Sequence, residues 1–234
     1  MSPYLLFFFL FLSLFPAELS GDSSDSIDWS GFHWIIKSNR RKIGPGPNYF
    51  SSETISRNED DSLSLHISSR RNRYYAAEIY TERFFSPGRF ELTLELEGNP
   101  DSQAVFGFFL YNSEEPPHFN EIDYEMSRWA VPGSPESHFS VQPYTNEGNS
   151  MSFTLGSVEG RWRIVLNWQP DLIGFFIGPE GKEPVQKWIY RGDDNPRETE
   201  SRVHINLWLF QGDPPAEDGY TTLRISDFRY FPYQ

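Results

Sequence analysis

Phe90-Glu-Leu-Thr-Leu-Glu-Leu-Glu97 alternates an apolar residue with a polar one at every step. Successive side chains on a β-strand point to opposite faces, so this stretch encodes one dry face and one wet face. The same period recurs on either side of it. Upstream, Leu63, Leu65 and Ile67 alternate with Ser64 and His66; downstream, Trp162, Ile164, Leu166 and Trp168 do the same. Pro170-Asp171 then turns the chain into Ile173, Phe175 and Ile177. Residues 104–111 and 203–210 are largely apolar, as expected of central strands covered on both faces. Residues 221–231 form a strand pattern whose phase slips near Asp227, the signature of a β-bulge. No convincing amphipathic helix interrupts the series. Many short strands with turn residues between them predict an all-β fold, a two-sheet antiparallel β-sandwich or jelly roll with a concave ligand cleft.

The chain has 234 residues, a net charge of −13 and no cysteine, and 17% of it is aromatic. One domain accounts for this length. Without cysteine there is no disulfide, thiolate metal site or cysteine nucleophile. The acidic balance argues against nucleic acid and anionic membranes as partners. The five histidines (His33, His66, His118, His138 and His204) lack metal-ligand spacing, so no metal site is expected from them. Leu5 to Phe15 is an apolar run of signal-peptide length, too short to span a bilayer. Residues 1–21 are therefore expected to be a signal peptide, 22–30 a flexible leader and 31–234 the folded domain. A secreted protein, extracellular or periplasmic, is expected, monomeric and free of membrane once the signal is cleaved. Arg40-Arg-Lys42 reads as a small solvated basic patch, too small by itself to suggest a polyanion site.

Glu121-Ile-Asp123-Tyr-Glu125 carries the chemistry. On a strand its three acids share one face while Ile122, Tyr124 and Met126 point to the core. Carboxylates so close repel, and at least one holds its proton to higher pH, more so beside Phe109, Tyr111, Phe119 and Trp129. A proton-holding acid beside an ionised carboxylate is what glycoside hydrolysis needs. Glu91, Glu95 and Glu97 show a similar alternation, and there a solvated strand face is explanation enough.

The motif resembles the Glu-x-Asp-x-Glu signature of glycoside hydrolase family 16, the lichenase and xyloglucan-transglycosylase group. Ala77-Glu78-Ile79, Phe106-Gly-Phe-Phe109-Leu-Tyr111, Trp168-Gln-Pro170 through Ile173, Asn206-Leu-Trp208 and Ile225-Ser-Asp227 resemble further family segments, in the family's order. The resemblance implies a concanavalin A-like jelly roll and retaining hydrolysis of a β-glucan. It assigns Glu121 as nucleophile, Asp123 as assisting residue and Glu125 as general acid and base. It places Asn48, Glu78, Phe109, Tyr111, Phe119, Tyr144, Asn206 and Trp208 against the polysaccharide substrate. No cofactor is required, although Asp227 matches a position that binds structural calcium in some relatives. Departures from the pattern are Tyr80 for an arginine, Phe119 for a tryptophan, Asn120 for an aspartate and Gln142 for an asparagine. They leave two alternatives beside the hydrolase: a non-catalytic carbohydrate-binding jelly roll, and a transglycosylase remodelling wall polysaccharide.

Overall fold

The computed structural model describes residues 25–112, 120–156, 158–196 and 199–234. They form two antiparallel sheets packed face to face. The larger has the order β1 (Ser26–Trp29), β2 (Phe32–Ile36), β7 (Arg73–Thr81), β16 (Arg202–Leu209), β9 (Ala104–Tyr111), β10 (Ile122–Met126), β11 (Ser137–Val141) and β12 (Ser150–Phe153). Two short strands, β3 (Tyr49–Phe50) and β6 (Ser68–Arg70), also pair with β7. The smaller sheet has the order β15 (Gln186–Tyr190), β14 (Ile173–Pro179), β13 (Glu159–Trp168), β8 (Gly88–Glu97), β17 (Thr222–Pro232), β5 (Leu63–His66) and β4 (Ile55–Arg57). The all-β sandwich expected from the alternation is thus the architecture found.

Phe90, Leu92, Leu94 and Leu96 are buried against Phe106, Phe108 and Leu110 of the facing sheet, within a single core. Each such side chain contributes on the order of 1.5–3 kcal/mol by leaving water. The expected phase slip is present: the β17–β8 register shifts between Ile225 and Asp227, so Ile225 and Phe228 both reach the core. Two expectations need correction. The acidic face of β8 is not simply solvated, because Glu91 is buried beneath Arg89 and Arg163, and Glu95 pairs with Arg224. Nor is the leader flexible as far as residue 30. Ser26–Trp29 is an edge strand on β2, fixed by burial of the Trp29 indole against Trp34 at 5.7 Å.

The expected signal peptide lies outside the described residues. Among those described, no helix is long and apolar enough to cross a membrane. Asp227, the expected calcium ligand, accepts from Arg229 Nε at 2.7 Å and Ser30 Oγ at 3.4 Å. An arginine on that carboxylate opposes a cation. No group of three or more His, Asp or Glu side chains among the described residues is placed to hold a metal.

Candidate active site

Strand register assembles the site. One row across the outer face of the larger sheet runs Glu78, Asn206, Gly107, Glu125, His138 and Ser152, on β7, β16, β9, β10, β11 and β12. The adjacent row runs Tyr80, His204, Phe109, Asp123, Ser140 and Ser150. Glu121 precedes β10, and its carbonyl accepts from Gln142 N at 3.0 Å, which carries the ladder one residue further. The three acids therefore share a face, as the period-two reading requires, while Ile122, Tyr124 and Met126 are buried in the core.

Burial is what tunes them. It pushes the Glu121 carboxyl well above its usual range, helped by the charges of Asp123 and Glu78. Glu125 is raised likewise, by burial and then by Asp123 and Glu121. Asp123 is also raised by burial, with Ser140 and Gln142 pulling the other way through hydrogen bonds. Gln142 is oriented for this task. Its Oε1 accepts from Tyr144 N at 3.0 Å, which turns Nε2 toward Asp123 Oδ2 at 3.4 Å. Glu121 and Glu125 remain half-open to the surface, whereas Asp123 is enclosed between them.

Rings border the acids. Phe109 stacks on His204 at 4.9 Å, and His204 stacks on Tyr80 at 5.2 Å, a three-ring layer beside the triad. Tyr111 lies near enough to Glu121 for that charge, added to burial, to push its phenol up to about 12. Tyr144 is raised by burial and by Glu125. Arg202 stands 5.6 Å from the Tyr80 ring, so a guanidinium from the neighbouring strand accompanies the tyrosine that replaces the family's arginine.

The other expected sugar contacts differ from this open group. Trp208 is 7% exposed, packed with Phe50, Ala76 and Val105, with Trp129 and Phe210 against them. Asn48 is 4% exposed and bridges backbone: Nδ2 donates to Leu209 O at 2.8 Å and to Pro45 O at 3.0 Å, while Oδ1 accepts from Leu209 N at 3.3 Å. Glu78 is 3% exposed and held at 2.8 Å by Lys37 Nζ and at 3.1 Å by His204 Nδ1. Burial alone raises its carboxyl, but those two partners more than offset it and hold it near 2. Asn206 keeps one buried amide oxygen, Oδ1, without a partner. A Cβ on Gly107 would stand 2.6 Å from that oxygen, so the glycine makes room for the amide. Phe119 lies outside the described residues.

Sequence reading missed Lys37, His204 and His138. His204 sits two residues before Asn206, so strand period alone marks it for the same face. His138 Nδ1 bonds Ser152 Oγ at 2.9 Å, and its Nε2 accepts from Trp129 Nε1 at 3.0 Å. No local pattern marks Lys37, which meets Glu78 from 41 positions away.

No protein-family model matches the chain, and no curated protein is similar to it in sequence. Solved structures are similar in fold. The β-glucanase of Bacillus licheniformis superposes with a TM-score of 0.65 at 15% identity, over 91% of this chain and 100% of that one. A glycosyl hydrolase family 16 protein from Mycobacterium smegmatis gives 0.62 at 16% identity, over 91% and 94%. Rv0315 of Mycobacterium tuberculosis, described as an immunostimulatory antigen and pseudo beta-1,3-glucanase, gives 0.65 at 16% identity, over 86% and 91%. The chain has the jelly-roll fold of the family 16 glycoside hydrolases.

Proposed function

We propose that this protein is an exported retaining endo-β-glucanase. The observation that carries the reading is the Glu121, Asp123, Glu125 face, where burial raises all three carboxyls, and neighbouring charge adds to it at Glu121 and Glu125, beside a layer of partly buried rings. A raised Glu125 keeps its proton near neutral pH and delivers it to the glycosidic oxygen as that bond breaks. Glu121, as carboxylate, forms a bond to the anomeric carbon, giving a covalent glycosyl-enzyme. Water then attacks that carbon, Glu125 takes the water's proton and Glu121 leaves. Asp123 alternates its hydrogen bonding between the two neighbours and limits the charge either carries. Cα atoms four positions apart on a strand are about 13 Å apart, so the two glutamates must lean together to reach the roughly 5–5.5 Å carboxyl spacing of retaining chemistry.

The test is hydrolysis of lichenan, laminarin, xyloglucan, agarose and carrageenan by wild type and Glu121→Gln side by side. Reducing ends from a β-glucan with wild type, and none with the variant, are expected. Equal activity of the two overturns the role of Glu121. Product sizing with an added acceptor oligosaccharide separates hydrolysis from transfer. A second reading, a binding protein without turnover, is favoured by the internal use of Asn48 and Glu78. It predicts retention on a β-glucan column with no hydrolysis of any polymer in the screen. Export and a monomeric state belong to the proposal, and are checked by N-terminal sequencing of secreted product and by light scattering.

A further inference from the structure

The two basic segments of an otherwise acidic chain meet in space. Parallel pairing of β3 with β7 sets Tyr49 beside Tyr75, their ring centroids 5.8 Å apart. Lys42 Nζ lies 5.8 Å from the centre of the Tyr49 ring, and the Arg73 guanidinium lies 5.4 Å from the same ring. Arg70 covers Tyr75 at 4.9 Å. The β6–β7 hairpin turns through Arg71 and Asn72, both in the left-handed region at φ 49° and 60°. Arg70, Arg71, Arg73 and Tyr75 line a depression of about 360 Å³. All of these cations are exposed, and Arg40 and Arg41 flank them in sequence. Glu53 pairs with Arg70, whereas Lys42, Arg71 and Arg73 form no ion pair with a carboxylate among the described residues.

Like charges gathered this way repel one another, and the tyrosine faces relieve only part of that. An anion relieves the rest. Guanidinium forks match paired oxygens of carboxylate and sulfate groups, and a depression bordered by tyrosine rings suits a single sugar chain. The remainder of the chain is strongly acidic and repels a nucleic-acid duplex. Arg73 also lies on the strand that carries Glu78, five residues and about 17 Å before it. We propose that this patch binds an anionic polysaccharide, a glycan bearing carboxylate or sulfate groups, at a site separate from the acidic triad. The inference does not rest on turnover at the triad.

Affinity electrophoresis of the folded protein tests it, with polygalacturonate, dextran sulfate or neutral dextran in the gel. Arg71→Asn/Arg73→Gln removes two charges, asparagine being tolerant of a left-handed backbone. Circular dichroism monitors the fold of this variant. Retardation by at least one anionic polymer and none by dextran is expected. The double variant should weaken it about tenfold, and so should raising salt from about 0.1 to 1 M, where the screening length falls from roughly 10 to 3 Å. Polygalacturonate against dextran sulfate distinguishes carboxylate from sulfate recognition. No retardation by either polymer, equal retardation of a folded double variant, or tighter binding to duplex DNA or phosphatidylserine vesicles overturns the proposal. Glucan hydrolysis by the same variant should be unchanged, so failure here leaves the triad reading standing.

Discussion

Replacing Lys37 by methionine isolates the electrostatics beneath the sheet face. Methionine keeps an apolar side chain of similar length but removes the ammonium, which lies 4.4 Å from the Phe50 ring centre and touches Glu78 Oε2 and the Gly44 carbonyl at 2.8 Å each. A Glu78 carboxyl held near 2 rather than 4.5 corresponds to about 3 kcal/mol of preference for its ionised form, at roughly 1.4 kcal/mol per pH unit. Glu78 is almost wholly buried, so solvent screens little of this. In the wild type that contribution is fully present above pH 4.5, the unfolded value, and is lost as pH falls through about 2. In the variant the glutamate and His204 are left as a buried pair one charge short. That should cost about 3–5 kcal/mol near pH 8, a fall in Tm of roughly 6–20 °C for a domain of this size. As pH drops toward 5 the pair takes up a proton, and more than half of the loss should be recovered. Urea unfolding of both proteins at pH 8 and pH 5 measures it. A loss below about 1 kcal/mol at pH 8, or the same loss at both pH values, refutes the account.

Four further outcomes are expected. Gly107→Ala should raise KM for a β-glucan about tenfold or more with little loss of stability, because its methyl displaces the Asn206 amide; steady-state kinetics with circular dichroism checks this. Glu125→Gln should abolish hydrolysis yet melt a few degrees higher than wild type at pH 8. A carboxyl whose pKa is raised on folding costs stability once ionised, so the difference should vanish at pH 4, below the unfolded value. Asn48→Ala leaves backbone groups of Leu209 and Pro45 unpaired and should lower stability by about 1–3 kcal/mol in urea titration. Phe108→Ala opens a cavity between the sheets and should cost about 3–5 kcal/mol by the same method.

The sandwich was legible because burial on one face of a strand imposes a period of two, and that period survives in residues 90–97 without any tertiary information. Glu121, Asp123 and Glu125 were legible for the same reason. What converges from other strands was not. Lys37 and His204 control Glu78 through pairings that span 41 and 126 positions; strand period puts His204 on the right face, but nothing local encodes either pairing. The core face of β8 was assigned correctly, but its acidic face, expected to be solvated, lies partly under arginines of β13 and β17 that cover Glu91 and Glu95. Ser26–Trp29 resembled a leader because Ser and Asp dominate the residues before it, and one tryptophan seated in the core outweighed them. Asn48 read locally as a turn residue, yet its amide spans to a strand 161 positions away.

The two faces of the sheet from β7 to β12 divide its labour. Inward residues hold the domain together; outward residues present a fresh side chain about every 4.8 Å across the strands. Because the backbone ladder is indifferent to what projects from it, an outward position can change identity while its neighbours keep their places. Arg202 beside the Tyr80 ring has that character: a guanidinium reaches the position from one strand over. Such a surface works as an addressable grid, in which new ligand preferences can arise one square at a time while Phe108, Tyr124 and Phe139 beneath it stay as they are.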